Sequence, residues 1–328
     1  MKAIKLVSTA GMSREDWLRY RKEGLGGSDA SAVLGVSKYK SALRCWLEKT
    51  DQAPGDDGDQ SEPAFWGTTL EAVIAKVYAD RNPGVKVRNV NFMLQHPDHP
   101  WMLANLDRLL IYPDGTKAIL EVKTAGAWLA GEWKDDEVPI AYMAQAAHYM
   151  AVTGLDKVIF VCLIGGQRLE IREFVRDPEL EATLIEREAE FWGMVERGEM
   201  PAVDGSEDAA DCLDFMYSNK LAVTVDLPQE AMGWIEMFEE AKAAEKAAKE
   251  KKDLASNNLK ALLQANEVGF CGEYQLSWKY INANRLDGDK LAEEFPEAKA
   301  ACTKESSYTK FSLTKKKPPK EKKEKKAA

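Results

Sequence analysis

Residues 103–125 read LANLDRLLIYPDGTKAILEVKTA, two apolar runs separated by Tyr-Pro-Asp-Gly. Proline, aspartate and glycine in that order carry the chemistry of a tight reversal. The runs on either side therefore predict paired strands, within about 101–112 and 117–123. In ILEVKT, alternation at period two puts Glu121 and Lys123 on one face and Val122 on the other. Asp107 sits in the first run. Carboxylates buried in such a hairpin are costly unless a cation or a paired group compensates them. The fold must bring partners to Asp107, Glu121 and Lys123, and that demand constrains the chain more than any other feature.

The surrounding elements follow from caps and periodicity. Ser13 with Asp16 opens an amphipathic helix running to about Glu23. GLGG at 24–27 breaks it, and Ser28 is expected at the N-cap of a second helix that ends at Gly35. SALRCWLEKT predicts a third short helix, and FWGTTLEAVIAKVYAD a longer one with Leu70, Val73, Ile74 and Val77 on one side. Between these two helices, residues 51–63 form a polar acidic loop, and a strand-like segment is expected at about 85–95. PIAYMAQAAHYMAVT, 139–153, is helical, with proline tolerated in the first turn. KVIFVCLIGGQRLEIREFVR predicts two strands joined at Gly165–Gly166, and a helix follows over about 178–197. Proline, glycine and acidic residues just after 198 read as a linker. The expected division is a core domain at 1–198, a C-terminal extension at 199–314 holding a long helix and a small α+β segment, and a disordered lysine-rich tail at 315–328.

Composition narrows the function classes. Apolar runs such as VIFVCLI are too short to cross a bilayer, and the N-terminus shows no apolar core of a secretory signal. A cytoplasmic protein of a bacterium or phage-infected host cell is expected, with no membrane partner. The five cysteines, Cys45, Cys162, Cys212, Cys271 and Cys302, include no CxxC pair, which fits reduced thiols and offers no thiolate set for zinc. Net charge is −9, yet eight lysines and two glutamates lie between Phe311 and Ala328, leaving the body near −15. Such a body binds nucleic acid only through a local channel; the tail either holds phosphate non-specifically or is a solvated end.

Two carboxylates at the ends of adjacent strands can share a hard divalent cation. Magnesium takes oxygen ligands and keeps several waters, so Asp107, Glu121 and the Val122 carbonyl form a sufficient ligand set. Lys123 then stands beside the attacking water, where it orients or deprotonates it and offsets charge developing on a phosphate. That is metal-assisted phosphodiester hydrolysis. The alternative is ordinary strand charge, because any Glu-apolar-Lys matches the pattern. No P-loop is present, and His96 and His99 in QHPDHP lack the partners of a zinc site.

The Asp…Glu-x-Lys pattern is the signature of the PD-(D/E)xK nuclease superfamily, and other stretches accompany it in order. RYRKEGLGGSDASAVLG places Arg21 before a glycine-rich loop and Ser28 at a helix start; WGTTLE carries Glu71; AYMAQAAHYMAVTG places Gln145 and Tyr149 one helical turn apart. Together, over roughly residues 14–175, these resemble the YqaJ-like viral recombinase family, related to bacteriophage lambda exonuclease. One departure is LDR around the aspartate, where the family has PDG.

The resemblance implies an α/β fold: a PD-(D/E)xK, restriction-endonuclease-like core with a central mixed sheet flanked by helices, followed by a mostly helical extension. It implies Mg²⁺, two ions per site with Mn²⁺ able to substitute, held by Asp107, Glu121 and Val122. Lys123 becomes the catalytic lysine, Glu71 the upstream acidic residue, and Gln145 and Tyr149 the helix face lining the site. Arg21 and Ser28 become the grip on a terminal DNA 5′-phosphate. The implied activity is 5′-to-3′ digestion of linear double-stranded DNA, leaving 3′ single strands for recombination by annealing. A ring-shaped homotrimer and a single-strand annealing protein are the implied partners. Two alternatives remain at this stage: another endonuclease of the superfamily, and a catalytically inactive DNA-binding subunit. Each residue also has a structural reading: Glu71 as a solvated helix residue, Gln145 and Tyr149 as polar core, Arg21 as an ion-pair partner, Ser28 as a plain cap.

Overall fold

The strand that carries Glu121 and Lys123 is closed to solvent from residue 118 to 122. The computed structural model describes residues 3–53, 61–304 and 308–314, in two compact units, Met1–Asn219 and Lys220–Ala328. The first unit contains β1 (Ile4–Ser8), α1 (Arg14–Lys22), α2 (Gly27–Val33), α3 (Ala42–Lys49), α4 (Glu62–Arg81), β2 (Lys86–Arg88), β3 (Phe92–Gln95) and β4 (Leu103–Ala104). It continues with β5 (Arg108–Ile111), β6 (Lys117–Ala125), a 3-10 helix (Ala127–Trp133), α5 (Ile140–Thr153), β7 (Lys157–Ile164), β8 (Arg168–Val175), α6 (Pro178–Arg197) and α7 (Glu207–Met216).

Five strands form the main sheet in the order β2-β5-β6-β7-β8; β6 runs antiparallel to β5 and parallel to β7. A parallel neighbour needs a crossover, and α5 supplies it, ending at Gly154 in the left-handed region (φ 70°). Ala146, Tyr149 and Met150 of α5 pack on Ile119, Phe160 and Cys162. On the opposite face, Ile74, Ala75 and Tyr78 of α4 pack on Leu120, Val122, Ile159 and Val161. The architecture is thus α/β, a mixed sheet flanked by helices, and the period-two alternation of β6 divides Glu121 and Lys123 from Val122. The expected reversal joins β5 to β6, with Gly115 at φ 87° and its N–H donating to the Tyr112 carbonyl at 3.0 Å.

Several expectations need correction. The segments at 85–95 and 101–112 are not single strands: each is shared between the main sheet and a second sheet of order β1-β3-β4. The second break falls at Asp107. Arg108 pairs with Leu120, so a longer β5 would bring Leu106 opposite Val122; instead Asp107 Oδ2 accepts the Val122 N–H at 2.8 Å. A side chain has taken a ladder bond, and the strand ends there.

Ser28 is not the N-cap of α2. Gly26 is, because its N–H donates to the Asp29 carboxylate at 3.0 Å, leaving Ser28 exposed in the first turn. The first unit also runs past residue 198, since the acidic stretch that resembles a linker contains α7. Asp208 there accepts from the backbone N–H and hydroxyl of Ser41 at 2.8 and 2.7 Å and pairs with Arg44, while Ala209 and Cys212 are fully buried.

In the second unit, α8 (Ala231–Leu263) precedes a hairpin of β9 (Val268–Cys271) and β10 (Tyr274–Ser277), then α9 (Gly288–Glu294) and α10 (Pro296–Cys302). Part of the acidic loop, 54–60, and the lysine-rich tail at 315–328 lie outside the described residues. Among the described residues, no helix is long and apolar enough to cross a membrane.

One buried ion pair ties α5 to α6. His148 Nδ1 lies 2.8 Å from Glu188 and Nε2 lies 2.8 Å from the Leu103 carbonyl, with both side chains closed to solvent. A carbonyl only accepts, so Nε2 carries hydrogen, and an ionised Glu188 requires hydrogen on Nδ1 as well. Burial opposes the imidazolium, but Glu188 and Leu103 outweigh it and raise the His148 pKa. His148→Gln should destabilise the protein by about 3–5 kcal/mol, because it leaves a buried carboxylate unpaired. His148→Leu combined with Glu188→Met should cost far less. The stability that His148 contributes is present below about pH 6.5 and is lost as pH rises through the raised folded value. Denaturant melts of wild type and both variants across pH 6–9 check this.

Candidate active site

The site begins with the direction in which β6 presents its groups. Val122 points its N–H toward Asp107, and in a strand the carbonyl of the same residue faces the same side. Glu121 and Lys123 project toward α5. There Glu121 Oε1 accepts from Lys123 Nζ at 2.8 Å and from Gln145 Nε2 at 2.8 Å. Lys123 also donates to Gln145 Oε1 at 2.9 Å, and Gln145 Nε2 donates to the Tyr149 hydroxyl at 3.1 Å. The Gln145 amide orientation is fixed by this network, since only that orientation satisfies both Lys123 and Glu121.

The other oxygen of Glu121, Oε2, is buried and has no hydrogen-bond partner among the described residues. An orphaned carboxylate oxygen in a protein interior calls for a cation. Burial, then the Glu121 and Glu71 carboxylates, push Asp107 well above the usual carboxylate range, and Lys123 and the Val122 N–H only partly offset this. Burial also raises Glu121 against the pull of Lys123. For Lys123, burial favours the neutral amine, yet Glu121 and Asp107 outweigh it and raise its pKa, so the group is an ammonium. Among the described residues, no set of three or more His, Cys, Asp or Glu forms a ready-made metal cage. A cation held here would take Asp107, the free oxygen of Glu121 and the Val122 carbonyl, completed by water, which is the oxygen-rich, sparsely liganded set that magnesium accepts.

Glu71 belongs to the same group, but its Oε1 pairs with Arg108 Nη1, which also donates to the Asp107 carbonyl. Arg108 is the residue by which LDR departs from PDG, and it neutralises Glu71 in this arrangement. Sequence reasoning gave Arg108 no role in the site and missed Tyr142, whose ring lies 4.8 Å from Lys123 Nζ. Its position three residues before Gln145 puts it on the same helix face, a signal that was available. Of the two tryptophans after β6, Trp133 is buried against Tyr142 and Phe160, while Trp128 is 86% exposed.

Arg21 and Ser28 are also brought together: Arg21 Nη2 donates to Ser28 Oγ at 2.7 Å, and its guanidinium stacks 4.8 Å from the Trp17 ring. A Cβ at Gly27 would collide with the Tyr149 ring and meet Gln145 Cγ at 3.0 Å. Glycine there lets the Arg21–Ser28 pair approach α5. Ser28, Lys123 and Gln145 line one cleft of about 850 Å³.

The chain is similar to known proteins in sequence and in fold. The YqaJ-like viral recombinase domain matches residues 16–156. The chain is 37% identical over 320 residues to the Bacillus subtilis (strain 168) protein YqaJ, across 95% of this chain and 98% of that one. It belongs to the YqaJ-like viral recombinase family. Among solved structures it is similar to an alkaline exonuclease (LHK-Exo) from Laribacter hongkongensis, with 21% identity and a TM-score of 0.48 over 56% of this chain and 93% of that one. It is also similar to a phage related exonuclease from Haemophilus somnus 129PT, with 14% identity and a TM-score of 0.42 over 53% of this chain and 94% of that one.

The repulsion at Asp107 yields a test. Asp107→Asn keeps an acceptor for the Val122 N–H and removes one carboxylate from the group. Metal-free protein should then melt higher, by about 2–4 °C for each kcal/mol of repulsion relieved in a unit of this size. The same variant should lose the rise in melting temperature that Mg²⁺ or Mn²⁺ gives wild type. Thermal melts in chelator and in each metal check both outcomes; a variant that melts lower in chelator and still responds to metal would remove the cation site.

Proposed function

We propose that the chain is a Mg²⁺-dependent nuclease that digests linear double-stranded DNA from 5′ ends and leaves 3′ single strands for recombination by annealing. The observation that carries this reading is Glu121, with one carboxylate oxygen held by Lys123 and Gln145 and the other buried and without a hydrogen-bond partner among the described residues. Family membership supports the same reading, and the 5′-to-3′ polarity rests on the likeness of Arg21 and Ser28 to a terminal-phosphate grip. When bound, the divalent cation activates water and stabilises charge on the phosphate.

The chain's own residues do the rest. Gln145 and Glu121 fix the Lys123 ammonium between two acceptors, so its charge is in place before substrate arrives. An ammonium offers charge and a proton, and that suits stabilising a phosphate in passage better than abstracting a proton from water. Tyr149 holds Gln145 in the orientation that Lys123 needs. Arg21 offers a guanidinium fork, which matches phosphate oxygens in geometry as well as in charge. Because the body is acidic, the duplex must enter by this local cleft rather than by a broad basic surface. A ring of three copies enclosing the duplex, with an annealing protein receiving the product strand, completes the reading that the resemblance implies.

Digestion of end-labelled DNA tests it. With Mg²⁺, linear duplex should be degraded and covalently closed circles spared; circles cut as fast as linear DNA would leave an endonuclease in its place. Lys123→Gln should slow digestion by about 10²–10³-fold, the usual cost of losing one preorganised donor to a transition-state oxyanion. The metal-induced rise in melting temperature should survive in that variant, because Lys123 holds no metal. Near wild-type digestion by Lys123→Gln would remove lysine from the chemistry.

A further inference from the structure

Beside Ser28 lies a fully buried carboxylate that the chemistry above does not use. Asp29 has 0% exposure and is approached by three cations. Its Oδ1 accepts from Lys40 Nζ at 2.9 Å. Its Oδ2 lies 2.8 Å from Lys49 Nζ and 3.6 Å from Arg21 Nη2, and accepts the Gly26 N–H at 3.0 Å. Burial opposes its ionisation, but Lys40, Lys49 and Arg21 outweigh burial and hold its pKa well below the ordinary value. Asp29 therefore stays charged.

The three cations differ in what they can reach. The Lys49 side chain is 4% exposed, and it also donates to the Arg21 carbonyl at 2.7 Å, so it braces the end of α1 from α3. The Arg21 and Lys40 side chains are 26% and 22% exposed. Lys40 pairs additionally with Glu48 at 2.5 Å, and it lines the same cleft as Ser28 and Lys123. Against three positive groups stand, among the described residues, Asp29 and Glu48, which leaves the cluster one positive charge in excess. An ammonium has three donors, and Asp29 and Glu48 occupy two of those on Lys40.

We propose that Lys40 is a phosphate ligand alongside Arg21 and Ser28, and that Asp29 is the positioning residue that aims both cations at the DNA 5′ end. This rests on the reading of Arg21 and Ser28 as a terminal-phosphate grip. Lys40 reaches into the cleft from the loop after α2, while Arg21 comes from the end of α1, so a phosphate beside Ser28 meets cations from two segments. One carboxylate tethered to both fixes their spacing. Without that tether, two long side chains of like charge would separate, and ordering them would fall to the incoming phosphate.

The test is binding rather than turnover. Full-length protein in chelator is titrated with a blunt hairpin duplex carrying either a 5′-phosphate or a 5′-hydroxyl, and the ratio of the two dissociation constants is read. Wild type should prefer the phosphate. Lys40→Gln should shrink that preference about ten- to a hundredfold, the loss of one charge-assisted bond, while Lys40→Arg should keep most of it. Asp29→Asn should shrink it as well, with circular dichroism reporting whether the fold persists; if Asp29→Asn fails to fold, the two Lys40 variants decide. A preference undiminished in Lys40→Gln overturns the proposal, and so does a wild type that binds both ends equally. Neither result touches the nuclease reading, which stands or falls on whether wild type digests duplex in Mg²⁺.

Discussion

The Val122 N–H donates to the side chain of Asp107, and much of the first unit follows from that single bond. Because a carboxylate occupies the position a backbone carbonyl would take, β5 cannot continue past Arg108 toward its N-terminus. The chain before it is released to join β3 as β4. The second sheet is therefore coupled to the placement of one acidic side chain. The same bond sets the direction of the Val122 carbonyl, so the break that costs the sheet a ladder bond also assembles the oxygen cluster. Asparagine could make the bond but not supply the charge, which separates the structural role of this position from its chemical one.

How legible this was in the sequence depends on the range of the interactions involved. β6 could be placed because period two is a local property, and Glu121, Val122 and Lys123 fall on the faces it assigns. Gln145 and Tyr149 were placed by helical spacing, and their hydrogen bond is the i to i+4 contact that spacing implies. The division of 101–112 between two sheets was not legible, since periodicity says which residues share a face and nothing about which strand lies alongside. The cap of α2 lies two residues before Ser28 because Asp29, at the third helical position, reaches back to the N–H of a glycine whose missing side chain gives no capping signal. α7 was hidden for a different reason: its acidic first turn, which suits a helix N-terminus, has the composition of a linker. Its anchorage, Asp208 on Ser41, spans 167 residues of sequence.

Two charge centres of opposite sign contribute lysines to the same cleft, Lys123 from one and Lys40 from the other. Around β6, carboxylates outnumber the lysine that serves them, and the surplus is negative. Around Asp29, cations outnumber carboxylates, and the surplus is positive. Each centre is unfavourable alone, and for each the missing partner has the opposite charge: a cation for the first, an anion for the second. A phosphodiester chain accompanied by a divalent metal brings both at once. Arg108 moderates the first centre by pairing with Glu71, so the negative surplus is borne mainly by Asp107 and Glu121.

The close approach of α2 to α5 depends on an atom that is absent. Gly27 has no side chain, and any Cβ there would strike the Tyr149 ring, which holds the Gln145 amide and through it Lys123. Arg21 and Ser28 are attached to the same glycine-rich turn. The packing of α2 on α5 is therefore the mechanical link between the residues that would hold an end and the residues that would cut. Packed interiors transmit displacement poorly by bending and well by rigid contact. A shift of α2 large enough to admit one methyl group would reach the Gln145 amide directly, without passing through any flexible segment. On the proposed reading, selection of a substrate end and the geometry of cleavage would depend on the same contact, and neither could be altered there without disturbing the other.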